Sequence, residues 1–168
     1  MINRNLECKN YNKNKTTNKS IMRKTTLILL LFLISTLTFG QTKTEDDLIK
    51  AVIENAYIGG IHNGGSIDEI RKGFHPTFKM LSLENNDISP LSLEDWIIRI
   101  ENGRKQNAGN PTAKAECEYL SITTSGNAAT VVLNLFKNKK KIFTDHMILY
   151  KFSEGWRIVS KAYYRVPR

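Results

Sequence analysis

The chain is poor in cysteine and proline, with two and four of each in 168 residues, and it has no apolar run long enough to cross a bilayer. Cys8 falls in the leading segment and Cys117 is left without a partner, so no disulfide framework holds the fold together. The longest apolar stretch, about 13 residues from Leu27 to Phe39, falls short of the roughly 20 that a membrane-spanning helix needs. Acidic residues are scarce at the start. Residues 1–40 hold seven basic residues against one acid, Glu7, whereas 18 basic and 15 acidic residues follow from Gln41 onward. The net charge of +9 is thus concentrated in the leader, and the remaining surface has no obligation to meet phosphate, which removes the charge argument for a nucleic-acid partner.

Recognisable chemical motifs are missing too. Gly59-Gly60 and Gly64-Gly65 end a helical pattern instead of opening one after a strand, so they are no phosphate loop. His62, His75 and His146 are too scattered for a zinc pattern, Cys117 joins none of them, and no nucleophile triad is supported. Neither a metal nor a cofactor is expected.

What is present is a globular composition, 40% apolar, and a chain long enough for one domain with an ordinary core. Residues 22–40 have the layout of a secretory signal peptide: Arg23 and Lys24, the apolar block Leu27 to Ile34, and the small residue Gly40 before a cut at Gln41. The expected product is exported, periplasmic or secreted, with no stable membrane anchor after cleavage. Residues 1–21 precede a complete signal that begins at Met22, so they are read as a non-native leader upstream of the true start, and residues 41–168 as the domain.

Within that domain Thr44-x-x-Asp47, Ser66-x-x-Glu69 and Ser92-x-x-Asp95 each set a capping hydroxyl three residues before a carboxylate and predict three helix starts. The first helix carries a wide apolar stripe through Leu48, Val52 and Ala56 beside Ile49, Ile53 and Tyr57, and ends near Asn63-Gly64-Gly65. The second runs from Ile67 to Lys72, with Gly73 expected in the left-handed conformation. The third starts at Leu93 and stops at Gly103, with Trp96, Ile97 and Ile100 facing inward. An isolated strand is expected over Phe78 to Leu83. From Ala113 the apolar period changes to two, with turn chemistry at Ser125-Gly126-Asn127, Lys137 to Lys140 and Ser153-Glu154-Gly155, which predicts a four-stranded antiparallel meander. The fold class is α+β, with the helices packed on one face of a bent sheet.

Several of these segments together resemble a known family: Tyr57-Ile58-Gly59-Gly60, Phe74-His75-Pro76, Leu93-Glu94-Asp95-Trp96, Gly126-Asn127-Ala128-Ala129, Phe143-Thr144-Asp145-His146, and Gly155-Trp156-Arg157 through Lys161. In order and spacing they resemble the putative lumazine-binding family of the nuclear transport factor 2-like superfamily, which also holds the SnoaL-like cyclases. The resemblance covers Thr44 to Tyr164. It implies a cone-shaped α+β fold, three N-terminal helices on a curved antiparallel sheet, a ligand-binding cavity between them, and a homodimer formed through the sheet. His146 departs from the family, which commonly has a tyrosine there. The superfamily includes isomerases, dehydratases and hydrolases beside proteins that only bind, so the resemblance does not name a reaction.

If Phe152 faces Trp156 across a three-residue turn, then Met147 pairs with Lys161, Asp145 with Tyr163 and Leu149 with Val159, and Asp145 and Lys161 become diagonal neighbours. The opposite face carries His146, Ile148, Tyr150 and Phe152 beside Trp156, Ile158 and Tyr164, and its apolar end is then the better candidate for packing under the helices, unless a bulge exchanges the faces from that point on. A carboxylate beside an ammonium on an apolar sheet is either a general acid/base pair or an ion pair that fixes strand register. His75, before Pro76, is a proton shuttle or a capping histidine. Trp96 and Tyr57 either line a cavity for a flat heterocycle or belong to the core. The run Lys139-Lys140-Lys141 beside Lys137 reads as a solvated turn, with a weak contact to an acidic surface as the alternative.

The expected ligand contacts are Tyr57, Phe74, His75, Trp96, Asp145 and Lys161, and the expected partner is a small hydrophobic or flat heterocyclic molecule. The leading function is exported small-molecule binding without catalysis. One alternative is a cofactor-free lyase or isomerase that uses Asp145, His75 or Lys161 on a hydrophobic substrate. The other is a non-catalytic structural or interaction module.

Overall fold

The three hydroxyl caps do what their spacing predicts. The side chains of Thr44, Ser66 and Ser92 accept hydrogen bonds from the backbone N–H of Asp47, Glu69 and Asp95, and at Thr44 the Asp47 carboxylate bonds back to the cap to complete a capping box. These caps open helices α1 (Glu45–Val52), α2 (Ile67–Gly73) and α3 (Leu93–Gln106) in the computed structural model, which describes residues 43–110 and 113–167. The leader, the signal segment 22–40 and the expected cut at Gln41 lie outside the described residues.

α1 does not continue as an α-helix. From Ile53 to His62 the chain winds as a π-helix, the wider form with i→i+5 bonds. Its consequence is seen in burial: Ala56, Tyr57 and Ile58 are all buried in succession, a broader inward face than an α-helical stripe provides. Gly73, expected in the left-handed region, is instead an ordinary helical residue at the end of α2. Glycine is required there by space, since a Cβ would lie 2.2 Å from the Cβ of Ala56 on the neighbouring helix.

The strands are β1 (Phe74–Glu84), β2 (Asp87–Ser92), β3 (Ala115–Ser125), β4 (Ala128–Lys137), β5 (Lys140–Phe152) and β6 (Gly155–Arg165). They form one curved six-stranded sheet in the order β2-β1-β6-β5-β4-β3, antiparallel throughout except where β1 runs parallel to β6. The four-stranded meander is present as expected. The strand at Phe78 is not isolated, because β2 pairs with it through a turn at Asn85-Asn86, both at positive φ. The third helix therefore follows a hairpin instead of a single strand, and it runs past Gly103 to Gln106.

The β5–β6 register departs from expectation in a way that partly cancels. Phe152 faces Gly155, not Trp156, so the turn has two residues, Ser153-Glu154. A one-residue shift between Ile148 and Leu149 then sets Leu149 against Ile158 and leaves Val159 as the extra residue, after which Met147 faces Lys161 and Asp145 faces Tyr163 as expected. The bulge also settles which face is covered. Asp145, Met147 and Leu149 are buried together with Trp156, Ile158 and Lys161, whereas Ile148, Tyr150 and Tyr164 are exposed. The face expected under the helices is thus the outer one, and Trp156 and Ile158 leave it because Val159 changes the phase of β6. The core lies between the inner sheet face and the helices, built on Ile49, Ile53, Ile70, Phe74, Phe78, Leu133, Leu135 and Leu149.

Candidate functional site

At the centre of that core lies a polar cluster. β5 presents Asp145 and β6 presents Lys161 one diagonal step away, both on the inner face and both buried, at 0% and 3% exposure. The π-helical segment lowers Tyr57 onto them. The Tyr57 hydroxyl donates to Asp145 Oδ2 at 2.6 Å, while Lys161 Nζ donates to Asp145 Oδ1 at 2.7 Å and to Tyr57 Oη at 3.1 Å. Each carboxylate oxygen thus holds one donor, and the three side chains close a ring of hydrogen bonds.

Aromatic rings enclose the ammonium. Lys161 Nζ lies 4.7 Å from the ring centre of Tyr163, 5.0 Å from Tyr57, 5.7 Å from Trp96 and 5.8 Å from Phe143, all within cation–π range. Burial disfavours charge on both groups. It pushes the Lys161 ammonium below its ordinary pKa, against the attraction of Asp145, and it raises the Tyr57 phenol well above its own, reinforced by the Asp145 charge. Tyr57 therefore stays a phenol.

Of the residues singled out from sequence, Tyr57, Trp96, Asp145 and Lys161 come together here. Phe74 is one layer away, edge-on to Trp96 at 5.9 Å and to Phe78 at 4.9 Å. His75 is not brought to the cluster: its ring stacks on Phe152 at 4.9 Å and its Nδ1 meets Thr77 Oγ1 at 2.7 Å, at the start of β1. His146 points to the outer face, beside Ala162 and Tyr164.

Three participants escaped the sequence reading, one of them Tyr163, named there only as the cross-strand partner of Asp145. His62, weighed there only as a zinc ligand, stands edge-on to Tyr57 at 4.7 Å, with Nε2 buried and without a hydrogen-bond partner. Burial, helped by the charges of Lys161 and Lys137, drops its pKa to about 3, so the imidazole is neutral. Phe143, read only as part of a motif, is the wall between the cluster and the surface. Its ring meets Tyr163 edge-on at 5.3 Å on the inside and lines a surface groove on the outside. Alternation along β5 placed it on the face of Asp145, which was the available signal.

Cys117 is a poor nucleophile. Its thiol is pushed up to about 11 by burial and by Glu54, whose carboxylate it meets at 3.5 Å. Among the described residues no group of His, Cys, Asp or Glu side chains is arranged to hold a metal ion.

A family model described as "Putative lumazine-binding" matches residues 44–164. None of the curated proteins matches the chain. Among solved structures, an NTF2-like protein of unknown function from Shewanella baltica OS155 is similar over 76% of this chain and 100% of its own, with 22% identity and a TM-score of 0.60. Another, from Silicibacter pomeroyi DSS-3, is similar over 74% of this chain and 100% of its own, with 16% identity and a TM-score of 0.58. A domain with a cystatin-like fold from Nostoc punctiforme PCC 73102 shares 16% identity over 76% of this chain and 81% of its own, with a TM-score of 0.55. At these identities the likeness is one of fold.

Proposed function

The chain belongs to the putative lumazine-binding family, within the NTF2-like superfamily, and from that membership together with the buried cluster we propose that it is an exported protein that binds a small flat heterocycle without transforming it. The observation that carries the reading is the convergence of Tyr57, Trp96, Phe143 and Tyr163 on a buried Lys161–Asp145 pair. Rings supply stacking faces, and an ammonium beside a carboxylate supplies a donor and an acceptor for the polar edge of a heterocycle. A buried ion pair is a weak contributor to stability compared with apolar packing, so its presence at this depth calls for a role. The rings touch one another, so the ligand enters as they part.

The non-catalytic reading is supported by the pairing of Asp145 with Lys161. Each Asp145 oxygen holds one donor, the Tyr57 hydroxyl or the Lys161 ammonium, which leaves lone pairs to accept from a ligand N–H while the charge a general base would use is tied to the ammonium. That same pairing favours a second reading, in which the cluster is a purely structural ion pair and the protein an interaction module.

Titration of the Trp156→Phe variant with lumazine separates the two, because Trp96 is then the only indole. Binding gives saturable quenching of its fluorescence, while no saturable change up to millimolar lumazine favours the structural reading. Export rests on the segment 22–40 and predicts a native mass that starts at or near Gln41; a mass that retains Leu27 to Phe39 contradicts it. We further propose a homodimer through the outer sheet face, where Leu120, Ile148, Tyr150 and Tyr164 are exposed. A monomer by light scattering at tens of micromolar refutes it.

A further inference from the structure

At the end of the β4–β5 hairpin, outside Phe143, four cations face one concavity. Lys137, Lys140, Lys141 and Arg165 line a groove of about 670 Å³ whose other walls are Asn138, Ile142, Phe143, Val166 and Pro167, with no acidic residue among them. The volume is that of a small-molecule site. None of the five ion pairs among the described residues includes any of the four cations. Like charges that line one concavity repel one another, and among the described residues no carboxylate lines it to relieve them.

The groove is fixed in shape. The backbone N–H of Val166 donates to the carbonyl of Ile142 at 3.0 Å, which straps the segment after β6 along the hairpin as one wall. The hairpin turns through Asn138 and Lys139, both at positive φ, 51° and 62°. Tight hairpin turns favour glycine at the second of these positions, so a lysine there adds charge where local conformation would prefer none. The Arg165 guanidinium lies 5.2 Å from the ring centre of Phe143, which positions its planar donors over an apolar floor. Lys137 also lines an adjoining cavity of about 330 Å³ together with His62, Asn107, Asn110 and Arg104. Arg104 is itself anchored by the carbonyls of Gly60 and Gly65. Lys137 thus links the donors of the groove to those of this second cavity.

We propose that this groove binds a small molecule carrying at least two negative charges, as phosphate or carboxylate, beside a flat apolar body. The anionic groups meet Lys137, Lys140, Lys141 and Arg165, and the body lies against Phe143 and Pro167. The site stands whether or not the rings behind Phe143 part, so it does not rest on the preceding reading. A nucleic acid is disfavoured, because the basic residues gather at one end of the sheet on a surface of otherwise balanced charge.

The test is calorimetric titration of the mature protein with 1-naphthyl phosphate, inorganic phosphate and 1-naphthol. Naphthyl phosphate is expected to bind about tenfold or more tightly than either of the others, and to weaken as salt rises. Lys137→Gln and Lys141→Gln should each weaken it by about threefold to tenfold and Arg165→Gln by more, while Lys79→Gln, on exposed β1, leaves it unchanged. Thermal melts establish that the variants are folded, and the lysines sit on the surface, where substitution to glutamine does not touch the core. Equal binding by the lysine variants and the parent, or no saturable binding of naphthyl phosphate below about 10 mM, overturns the proposal. So does attachment to phosphatidylglycerol vesicles that is lost in the same variants while naphthyl phosphate fails to bind, since the patch would then face a membrane.

Discussion

Lys161 and Lys141 are one residue type on adjacent strands of one sheet, and the molecule treats them in opposite ways. Inside, a single ammonium is met by a carboxylate, a phenol oxygen and four aromatic faces. Outside, beyond Phe143, four cations share a groove without one counter-charge among its described lining residues. The interior cannot leave charge unanswered, because in a low-dielectric setting an unpaired ion is far more costly than in water. At the surface, solvent tolerates it. The difference teaches that the interior answers charge within the fold before any ligand arrives, whereas the surface leaves charge open to one.

The sharpest way to break this comparison is to remove one member of the buried pair. Asp145→Asn strands an ammonium and Lys161→Met strands a carboxylate, so each should lose about 3 kcal/mol or more of stability. The double variant should lose well under the sum. Additive losses in thermal or urea unfolding would show that the two groups do not act as a pair.

A smaller effect, on the boundary between the two regions, comes from His62. Folded, its imidazole stays neutral down to about pH 3, whereas in the unfolded chain it takes a proton near 6.5. Between these values the unfolded state binds more protons, so stability falls as pH falls, by up to about 1.4 kcal/mol per pH unit. His62→Gln should flatten urea-derived stability between pH 6 and 4; an unchanged slope would place the acid sensitivity elsewhere. Smallest of all is the groove. Lys137→Gln with Lys141→Gln thins a field of like charge and should raise the melting temperature slightly, by at most about 2 °C at low salt. A marked drop would mean that these lysines have protein partners and that the groove is structural.

What was readable in the sequence follows from range. The helix caps were legible because hydroxyl and amide are three residues apart and need nothing else. The pairing of Asp145 with Lys161 was legible because alternation carries information along a strand, although a wrong turn length and a bulge offset each other. The edge strand β2 was missed because Asp87-Ile88-Ser89-Pro90 is mostly exposed and has no buried alternate row. The π-helical winding was hidden as well, since its residues also satisfy an α-helical stripe. In the site, Tyr57, Trp96, Asp145 and Lys161 could be named because each is an unusual residue in an apolar setting. His62 could not, since only the wider helix brings its ring to Tyr57. Nor could the groove, because Arg165 and Lys141 are far apart in sequence and meet through the strand order.

The bulge at Val159 makes the β5–β6 hairpin a parity device. A two-residue turn plus one extra residue in β6 delivers Lys161 to the same place as a three-residue turn with none, so the two lengths are interchangeable only as a set. Closing a three-residue turn Ser153-Glu154-Gly155 without the bulge would keep Asp145 and Lys161 aligned but rotate Trp156 and Ile158 to the outer face, whereas inserting one residue at Ser153-Glu154 while deleting Val159 keeps every cross-strand pair and leaves both inside. Any attempt to graft a loop at this tip, or to move the buried pair into another sheet, has to conserve that count before it conserves any side chain.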